Sequence, residues 1–153
     1  MAVRALVAPG RWPAGPPPAP GRTLPEVWTG HWTARPGEPV LLEGRDRKRA
    51  VDGAALDGMT ARLAAALAAR GVRPGDRVLW SARTTLGSVQ ALLGVLRSGA
   101  VLTPLSPSAR APEVAHVVSD ARPTVAVCDD DRAGVFGPGV TVLSVEQLER
   151  DAA

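Results

Sequence analysis

The fold is decided by residues 71–107, GVRPGDRVLWSARTTLGSVQALLGVLRSGAVLTPLSP. After a tight turn, the short apolar run Arg77–Ser81 has the length and composition of a buried strand. Apolar residues then recur in steps of three and four, which predicts a helix with one buried face. That predicted face consists of Leu86, Val89, Leu93 and Leu96. Gly99 ends the helix and Ala100 opens a second strand, so we expect a strand–helix–strand unit with parallel strands.

The bulk composition is that of one globular domain. A chain of 153 residues is long enough to bury a core, and at 45% hydrophobic but 3% aromatic content that core must consist of Val, Leu and Ala. No apolar run approaches the roughly 20 residues that span a bilayer, so we expect no membrane span. The N-terminal residues provide no apolar region of signal-peptide length. The single cysteine, Cys128, allows no internal disulfide and favours a cytoplasmic location.

The calculated isoelectric point near 10.3 raises the possibility of nucleic-acid binding. Residues 1–50 hold eight basic and four acidic residues, whereas the rest of the chain holds ten and eleven. The basic excess therefore lies in the first third, and no groove of positive charge with stacking aromatics is visible. We expect no nucleic-acid partner and interpret residues 45–49 as a solvated loop tip.

The N-terminal segment, residues 1–25, is predicted to be a flexible leader. It holds seven prolines between positions 9 and 25, interspersed with glycines, and such a composition disfavours packed elements. A polyproline ligand for an aromatic-lined groove is the alternative interpretation. The expected organisation is therefore a leader over 1–25 followed by one α/β domain over 26–153.

The domain is predicted to open with a short helix or turn over residues 26–36. This segment brings Trp28 and Trp32 onto the body of the domain. His31 lies between the two tryptophans, and the only other histidine is His116, so no partners stand at metal-ligand spacing. We therefore assign His31 a packing or surface role.

A hairpin and a long helix follow. Residues 40–42 and 49–51 flank a polar turn and predict two short strands. Asp52 is expected to cap a helix that ends near Arg70, with Gly71 as the left-handed residue beyond its end. Its predicted buried face consists of Leu56, Met59, Leu63 and Leu67.

After residue 107 the alternation of helix and strand repeats. Pro112 is expected to be the first residue of a helix, and residues 124–128 and 140–143 predict two further strands. Ser144 and Gln147 have capping-box spacing for a last helix. The buried face of the Pro112 helix is predicted to consist of Val114, Val117 and Val118. The fold class is therefore α/β, with a mostly parallel sheet and right-handed crossovers.

A search for catalytic motifs finds none. The chain contains no G-x-G-x-x-G after a strand, no G-x-x-x-x-G-K-[ST] and no G-x-S-x-G. The run Asp129–Asp131 follows a predicted strand and could bind Mg²⁺, although a solvated loop is the preferred interpretation. We expect these acids to raise the pKa of Cys128 and oppose its reactivity.

Ligands of parallel sheets bind beyond the carboxyl ends of the strands. Here those positions are residues 81–85, residues 106–108 and the segment from Asp129 onward. An arginine and two threonines at a helix N-terminus could hold an anion, which makes Arg83, Thr84 and Thr85 weak candidates for an anion site. The simpler alternative is that one of the threonines caps the helix. No catalytic or metal-binding residue is assigned.

Three stretches resemble the adenylate-forming, or AMP-binding, enzyme superfamily. Residues 52–76, DGAALDGMTARLAAALAARGVRPGD, are similar to the segment that runs from a Thr-Tyr-x-Glu-Leu theme to Gly-Val-x-x-Gly-Asp. Residues 92–107, LLGVLRSGAVLTPLSP, resemble the early core motif in which a helix end leads into a Val-Pro-Leu strand. Residues 112–122 fit the next helix. The resemblance covers about residues 26–145 and is strongest to acyl-CoA synthetases.

The resemblance implies an enzyme that uses ATP to form an acyl-adenylate and then acylates a thiol such as coenzyme A. ATP, Mg²⁺ and coenzyme A are thus implied for a full-length relative. The family's phosphate loop, hinge and catalytic lysine all lie beyond the region of resemblance. The only lysine of the chain is Lys48, in a predicted surface turn. Asp52 and Gly53 replace the Thr-Tyr pair, and Ala55 replaces the glutamate.

The resemblance therefore implies an N-terminal fragment of an AMP-forming carboxylic acid–CoA ligase that is inactive alone. The expected partners are the remainder of the enzyme, or a second copy through an uncovered sheet edge. The alternative function is a stand-alone, non-catalytic module that binds a small ligand or a protein.

Overall fold

The computed structural model describes residues 23–44 and 49–153. The predicted leader, apart from its last three residues, and most of the predicted loop tip at 45–49 lie outside the described residues. The helices are α1 (Leu24–Ala34), α2 (Gly53–Ala69), α3 (Leu86–Arg97), α4 (Ala111–Ala121) and α5 (Val145–Asp151). The strands are β1 (Pro39–Glu43), β2 (Arg49–Asp52), β3 (Arg77–Ser81), β4 (Val101–Pro104), β5 (Val125–Cys128) and β6 (Thr141–Ser144). Two 3₁₀ turns, Asp130–Val135 and Gly137–Gly139, separate β5 from β6.

The main sheet has four strands in the order β4-β3-β5-β6, and every neighbouring pair is parallel. Strands β1 and β2 form a separate antiparallel hairpin, in which Leu42 lies opposite Ala50. This topology confirms the predicted α/β class and the parallel pairing of β3 with β4 around α3.

Two hydrophobic cores cover the two faces of the main sheet, because successive residues of a strand point to opposite sides. Val78 of β3 contributes to the first core, and its neighbour Leu79 contributes to the second. The helices of the first core are α2, α3 and α5, represented by Leu63, Leu67, Ala91, Val95 and Leu148. The second core lies under α4 and the first 3₁₀ turn, with Val114 and Phe136 buried. The sheet is therefore the middle layer of three.

Helix α2 has the boundaries that its sequence predicts. The Asp52 carboxylate accepts a hydrogen bond from the N–H of Ala55 at 2.8 Å, which satisfies one of the unpaired donors of the first turn. At the other end, Gly71 has a φ of +88° and the N–H of Val72 donates to the carbonyl of Leu67. This is the left-handed helix end that the glycine predicts.

The predicted buried face of α3 is wrong. Leu86, Val89, Leu93 and Leu96 are only partly buried and belong to neither core. The buried residues of the helix are Ser88, Ala91, Gly94 and Val95. The reason is the close approach of α2, where a Cβ added to Gly94 would lie 2.6 Å from the Cβ of Leu63. Small residues therefore mark the buried side of α3, and the large leucines lie elsewhere.

Helix α1 begins at Leu24, so the predicted boundary between residues 25 and 26 falls inside it. Thr23 fixes this start as the cap residue, since its hydroxyl accepts from the third backbone N–H of the helix. The rings of Trp28 and Trp32 stack with their centroids 6.3 Å apart, and Trp32 is buried. The side chain of His31 is exposed, as a surface role requires.

The last two helices also follow their sequence signals with small differences. Helix α4 begins one residue before Pro112, and it buries Val114 fully. Val117 and Val118 are partly buried against the second core. At α5, the hydroxyl of Ser144 accepts from the backbone N–H of Gln147 at 3.0 Å, as predicted. The Gln147 amide instead donates to Asp151, so the predicted capping box is half formed.

Candidate functional site

The carboxyl ends of the parallel strands bring the three predicted strand-end segments to one edge of the sheet. Ser81, the last residue of β3, donates its hydroxyl hydrogen to the carbonyl of Ser106 at 3.1 Å. Beyond β3, the backbone N–H of Arg83 donates to the carboxylate of Asp129, which follows β5, at 3.0 Å. The segments after β3, β4 and β5 are thus tied together by direct hydrogen bonds.

The side chain of Arg83 is already paired with carboxylates of the chain. Its guanidinium lies 3.2 Å from Asp129 and 3.0 Å from Asp131. Arg83 and Asp131 are exposed, with 62% and 61% of their side-chain surfaces accessible, so the second of these pairs is weak. An external anion at Arg83 would have to compete with both carboxylates.

The interpretation of Asp129–Asp131 as a solvated loop is correct for Asp130 and Asp131 and wrong for Asp129. Asp130 and Asp131 are exposed and begin a 3₁₀ turn, whereas Asp129 is buried. A buried carboxylate requires hydrogen bonds or an opposite charge, and Asp129 obtains both from Arg83. Asp129 therefore links the end of β5 to the segment after β3 through its contacts with Arg83.

The N-terminus of α3 is closed by a reciprocal pair of hydrogen bonds. The hydroxyl of Thr85 accepts from the N–H of Ser88 at 3.1 Å, and the Ser88 hydroxyl accepts from the N–H of Thr85 at 2.8 Å. This is a capping box in which serine replaces the usual glutamate. Of the two threonines that could cap the helix, Thr85 does so.

A carboxylate from the hairpin also lies at this helix end. Glu43 accepts from the N–H of Leu86 at 3.3 Å with one oxygen and pairs with Arg49 at 2.8 Å with the other. The positive end of the α3 dipole therefore has an internal anion. A site for an external anion at Arg83, Thr84 and Thr85 stays a prediction.

The sequence gives no local signal for the two acidic side chains that reach the start of α3. Glu43 lies in a different sheet, and Glu149 is in α5. The carboxylate of Glu149 lies directly over the first turn of α3, where a Cβ added to Gly87 would clash with its Oε1 atom. Both acids are distant from α3 in the sequence. The one sequence feature compatible with the close approach of Glu149 is the glycine at position 87.

Cys128 is fully buried at the end of β5. Burial, followed by the negative charge of Asp129, raises the pKa of its thiol from 9.0 to about 11. The direction agrees with the prediction, although burial rather than the acidic neighbours is the larger cause. The thiol is thus protonated and unreactive at neutral pH.

The charged groups at the strand ends are paired with other residues of the chain. The guanidinium of Arg83 is paired with Asp129, and the backbone N–H of Leu86 at the start of α3 donates to Glu43. Within residues 23–44 and 49–153, no group of three or more His, Cys, Asp or Glu side chains could hold a metal ion. In the same ranges, no helix combines the length and apolar character needed to cross a membrane.

A family model described as AMP-binding enzyme matches residues 29–152. The match spans both cores and the whole four-stranded sheet, so the chain belongs to the AMP-binding enzyme family. The resemblance seen in the sequence is thereby confirmed at the level of the family.

Curated relatives are adenylate-forming ligases and peptide synthetases. The fatty acid–[acyl-carrier-protein] ligase ScoC of Streptomyces coeruleorubidus is 33% identical over 120 residues, which are 78% of this chain and 22% of ScoC. The medium/long-chain-fatty-acid–CoA ligase FadD6 of Mycobacterium tuberculosis is 35% identical over 130 residues, with 78% and 21% coverage. The isonitrile lipopeptide synthase of Streptomyces coeruleorubidus is 35% identical over 138 residues, 90% of this chain and 9% of that protein. The chain spans about a fifth or less of each.

Among solved structures, the N-terminal subdomain of Klebsiella oxytoca NpsA in complex with 3-hydroxybenzoyl-AMSN superimposes with a TM-score of 0.77 at 21% identity. The alignment covers 86% of this chain and 32% of that one. VinN aligns with a TM-score of 0.76 at 21% identity, covering 86% of this chain and 35% of VinN. These similarities show the fold, and they confirm the predicted likeness to the N-terminal domain of adenylate-forming enzymes.

Proposed function

We propose that this chain forms the opening sheet-and-helix unit of the N-terminal subdomain of an adenylate-forming ligase. The whole enzyme converts a carboxylic acid and ATP into an acyl-adenylate and pyrophosphate, and then transfers the acyl group to a thiol with release of AMP. The observation that carries this proposal is the family match along residues 29–152, which covers the entire main sheet.

The role of this unit is structural support for a site completed by other polypeptide. Its strand-end groups hold one another: Asp129 joins two strands through Arg83, and Glu43 occupies the start of α3. Transition-state stabilisation of a phosphoryl group needs preorganised donors that are free to receive it. We therefore propose that the 153 residues have no adenylating activity alone.

For the acceptor, we propose coenzyme A, with a carrier protein as the alternative. FadD6 is named as a CoA ligase and ScoC as an acyl-carrier-protein ligase, and the chain is about equally similar to both. We also propose a cytoplasmic location, because ATP and coenzyme A are available there.

Activity is tested with the purified chain and with a chimera in which its residues 23–153 replace the corresponding segment of ScoC. The chain should show no ATP–pyrophosphate exchange and no acyl-hydroxamate formation with any of a panel of carboxylic acids. The chimera should retain exchange with the acids that ScoC uses. Exchange by the isolated chain contradicts the proposed inactivity, and a folded chimera without exchange contradicts the proposed role.

The alternative of a stand-alone binding module is tested through the DNA that follows the Ala153 codon. A Ser/Thr/Gly-rich phosphate loop in any reading frame supports the ligase, whereas its absence supports the module. Where such an extended product is encoded, acylation of coenzyme A compared with acylation of a carrier protein decides the acceptor.

A further inference from the structure

A groove of about 440 Å³, here called the α1 groove, lies where α1 meets the end of α3. Leu24, Pro25 and Trp28 form the wall that belongs to α1, and Leu96 and Ala100 line the opposite wall. Leu24 is 56% exposed, more than any other large apolar side chain in the described part of the chain. The groove therefore offers apolar surface at the point where the described residues begin.

The aromatic ring in this groove is held in place by a second ring. Trp28 and Trp32 stack with their centroids 6.3 Å apart and their planes at 25°, and Trp32 is buried. Trp28 itself is only partly buried, and it lines the groove. Grooves lined by accessible aromatic rings are the surfaces on which polyproline segments dock.

The charged side chains at the groove are bonded within the chain. Arg97 donates to the carboxylate of Asp57 at 2.6 Å and to the hydroxyl of Thr60 at 3.0 Å. Glu26 accepts from the backbone N–H of Thr23 at 2.6 Å and from its hydroxyl at 2.9 Å. An uncharged, apolar segment therefore fits this groove better than an acidic or basic one.

The sequence supplies such a segment next to the groove. Residues 16–20, PPPAP, carry no charge and contain the P-x-x-P spacing of polyproline ligands. Only two residues separate this run from Thr23, which lines the groove. Five residues of a polyproline helix span about 12 Å. The groove follows α1 from Thr23 to Thr29, which is about 9 Å of helix, so the run is long enough to lie along it.

We propose that residues 16–20 dock in the α1 groove of their own chain, as a polyproline helix packed against Trp28. Gly21 permits the change of direction that this docking requires between the prolines and α1. A short tether gives the segment an effective concentration of the order of millimolar, so weak contacts are sufficient. Residues 1–28 precede the family match at 29–152, and the inference is therefore independent of the proposed function.

The test measures how fast a thiol placed in the groove reacts with N-ethylmaleimide at neutral pH. Leu24→Cys places the thiol on the α1 wall, and Ala115→Cys on the exposed side of α4 is the matched control. Each is prepared in the parent chain and in a serine variant of equal length. The serine variant combines Pro16→Ser, Pro17→Ser, Pro18→Ser and Pro20→Ser. Peptide mass spectrometry separates the introduced thiols from Cys128, which is buried and whose labelling reports unfolding.

We expect the Leu24→Cys thiol to react about tenfold more slowly in the parent chain than in the serine variant, because the tethered prolines cover it for most of the time. The Ala115→Cys thiol should react at the same rate in both. Leu96→Cys, on the opposite wall of the groove, replaces Leu24→Cys if that substitution unfolds the chain or removes the contact. Slower labelling of Leu96→Cys in the parent chain supports the proposal equally.

Two results would overturn the docking proposal. One is equal labelling in the parent chain and the serine variant at both groove positions, whether the common rate is fast or slow. The other is protection that increases with protein concentration together with a dimeric mass by light scattering, since the prolines of a second copy are then the occupant. Protection that is the same at 1 μM and at 100 μM protein, as ~100-fold dilution does not affect a tethered segment, supports docking within one chain.

Discussion

Helices α3 and α4 each follow a strand of the same sheet, yet they are built for different surroundings. The outer side of α4 carries Glu113, His116 and Asp120, all exposed, and its apolar residues form a single stripe against the second core. The outer side of α3 carries leucines and a valine, and its inner side meets α2 through Gly94. The outer side of α4 is therefore solvated, whereas that of α3 is apolar and partly buried.

The difference shows how the sequence of a helix reflects its surroundings. A solvated helix needs one apolar stripe about 100° wide, which α4 has. A helix covered on both sides needs mostly apolar residues on both, and small residues where a neighbour approaches closely. Helix α3 has Gly94 on its inner side, and its partly buried outer side is apolar apart from Gln90. The chain therefore has one polar, solvated helix surface, over α4, and one largely apolar, partly buried helix surface, over α3.

The largest expected effect separates the two sides of α3 itself. Val95→Glu places a carboxylate in the first core, where Val95 is fully buried, and should cost more than about 4 kcal/mol of unfolding free energy. Leu93→Glu, two positions away on the partly buried side of the helix, should cost about 1–2 kcal/mol, because the new carboxylate keeps part of its contact with water. Urea unfolding of the two variants of the isolated chain measures both values. If Leu93→Glu destabilises the chain as much as Val95→Glu does, the two sides of α3 are equally buried and the comparison fails.

A second test uses the only cysteine, which lies in the core under α4. The pKa of Cys128 is raised from 9.0 in the unfolded chain to about 11 in the folded one, so the folded state holds the proton more tightly. Stability is therefore complete below pH 9 and falls by about 3 kcal/mol as the pH rises from 9 to 11. The chain has no tyrosine and one lysine, so few other groups titrate in this range.

The control for this test is Cys128→Ala, which removes the titrating thiol without adding a polar group. Urea midpoints between pH 8 and pH 11 should decline steeply in the parent chain and much less in the variant. Equal declines would mean that the thiol is not the cause.

A third test compares equal truncations in the two cores. Val95 in α3 and Val114 in α4 are both fully buried. Val95→Ala should cost about 3 kcal/mol and Val114→Ala about 1.5 kcal/mol, because a cavity costs more where the surroundings cannot relax. Helix α3 is held against α2 at Gly94, whereas α4 has an exposed outer side and, among the described residues, no such close contact with another helix. Thermal or urea denaturation measures the two losses, and a larger loss at Val114 would reverse the assignment of the rigid side.

The existence and order of the elements could be predicted from local signals. Asp52, Thr85 and Ser144 each cap the helix that follows them, and Gly71 ends one, because a cap depends on side chains within three residues. These signals do not depend on the rest of the fold, which explains why they were reliable.

The inner face of α3 and the partners at the strand ends could not be predicted in the same way. When apolar residues surround a helix, periodicity alone does not identify the side that meets the core. The burial of Asp129 depends on Arg83, 46 residues away, and the cap by Glu43 depends on a residue 43 positions away. Such pairs exist only once the chain has folded.

The smallest effect tests the close approach that sets α3 apart. In Gly94→Ala the new methyl group would lie 2.6 Å from the Cβ of Leu63, an atom fixed to the backbone, so the two helices must separate. Overpacking should outweigh the gain in helix propensity and leave a net loss of about 1 kcal/mol. Gly58→Ala in α2 is the matched control, since its methyl group would meet only the end of Arg62 at 3.4 Å, and it should gain about 0.5–1 kcal/mol. Opposite shifts of the urea midpoint are therefore expected from the same substitution. A gain at both positions would show that α2 and α3 are not held at this distance. The distinction between α3 and α4 would then rest on the apolar, partly buried outer side of α3 alone.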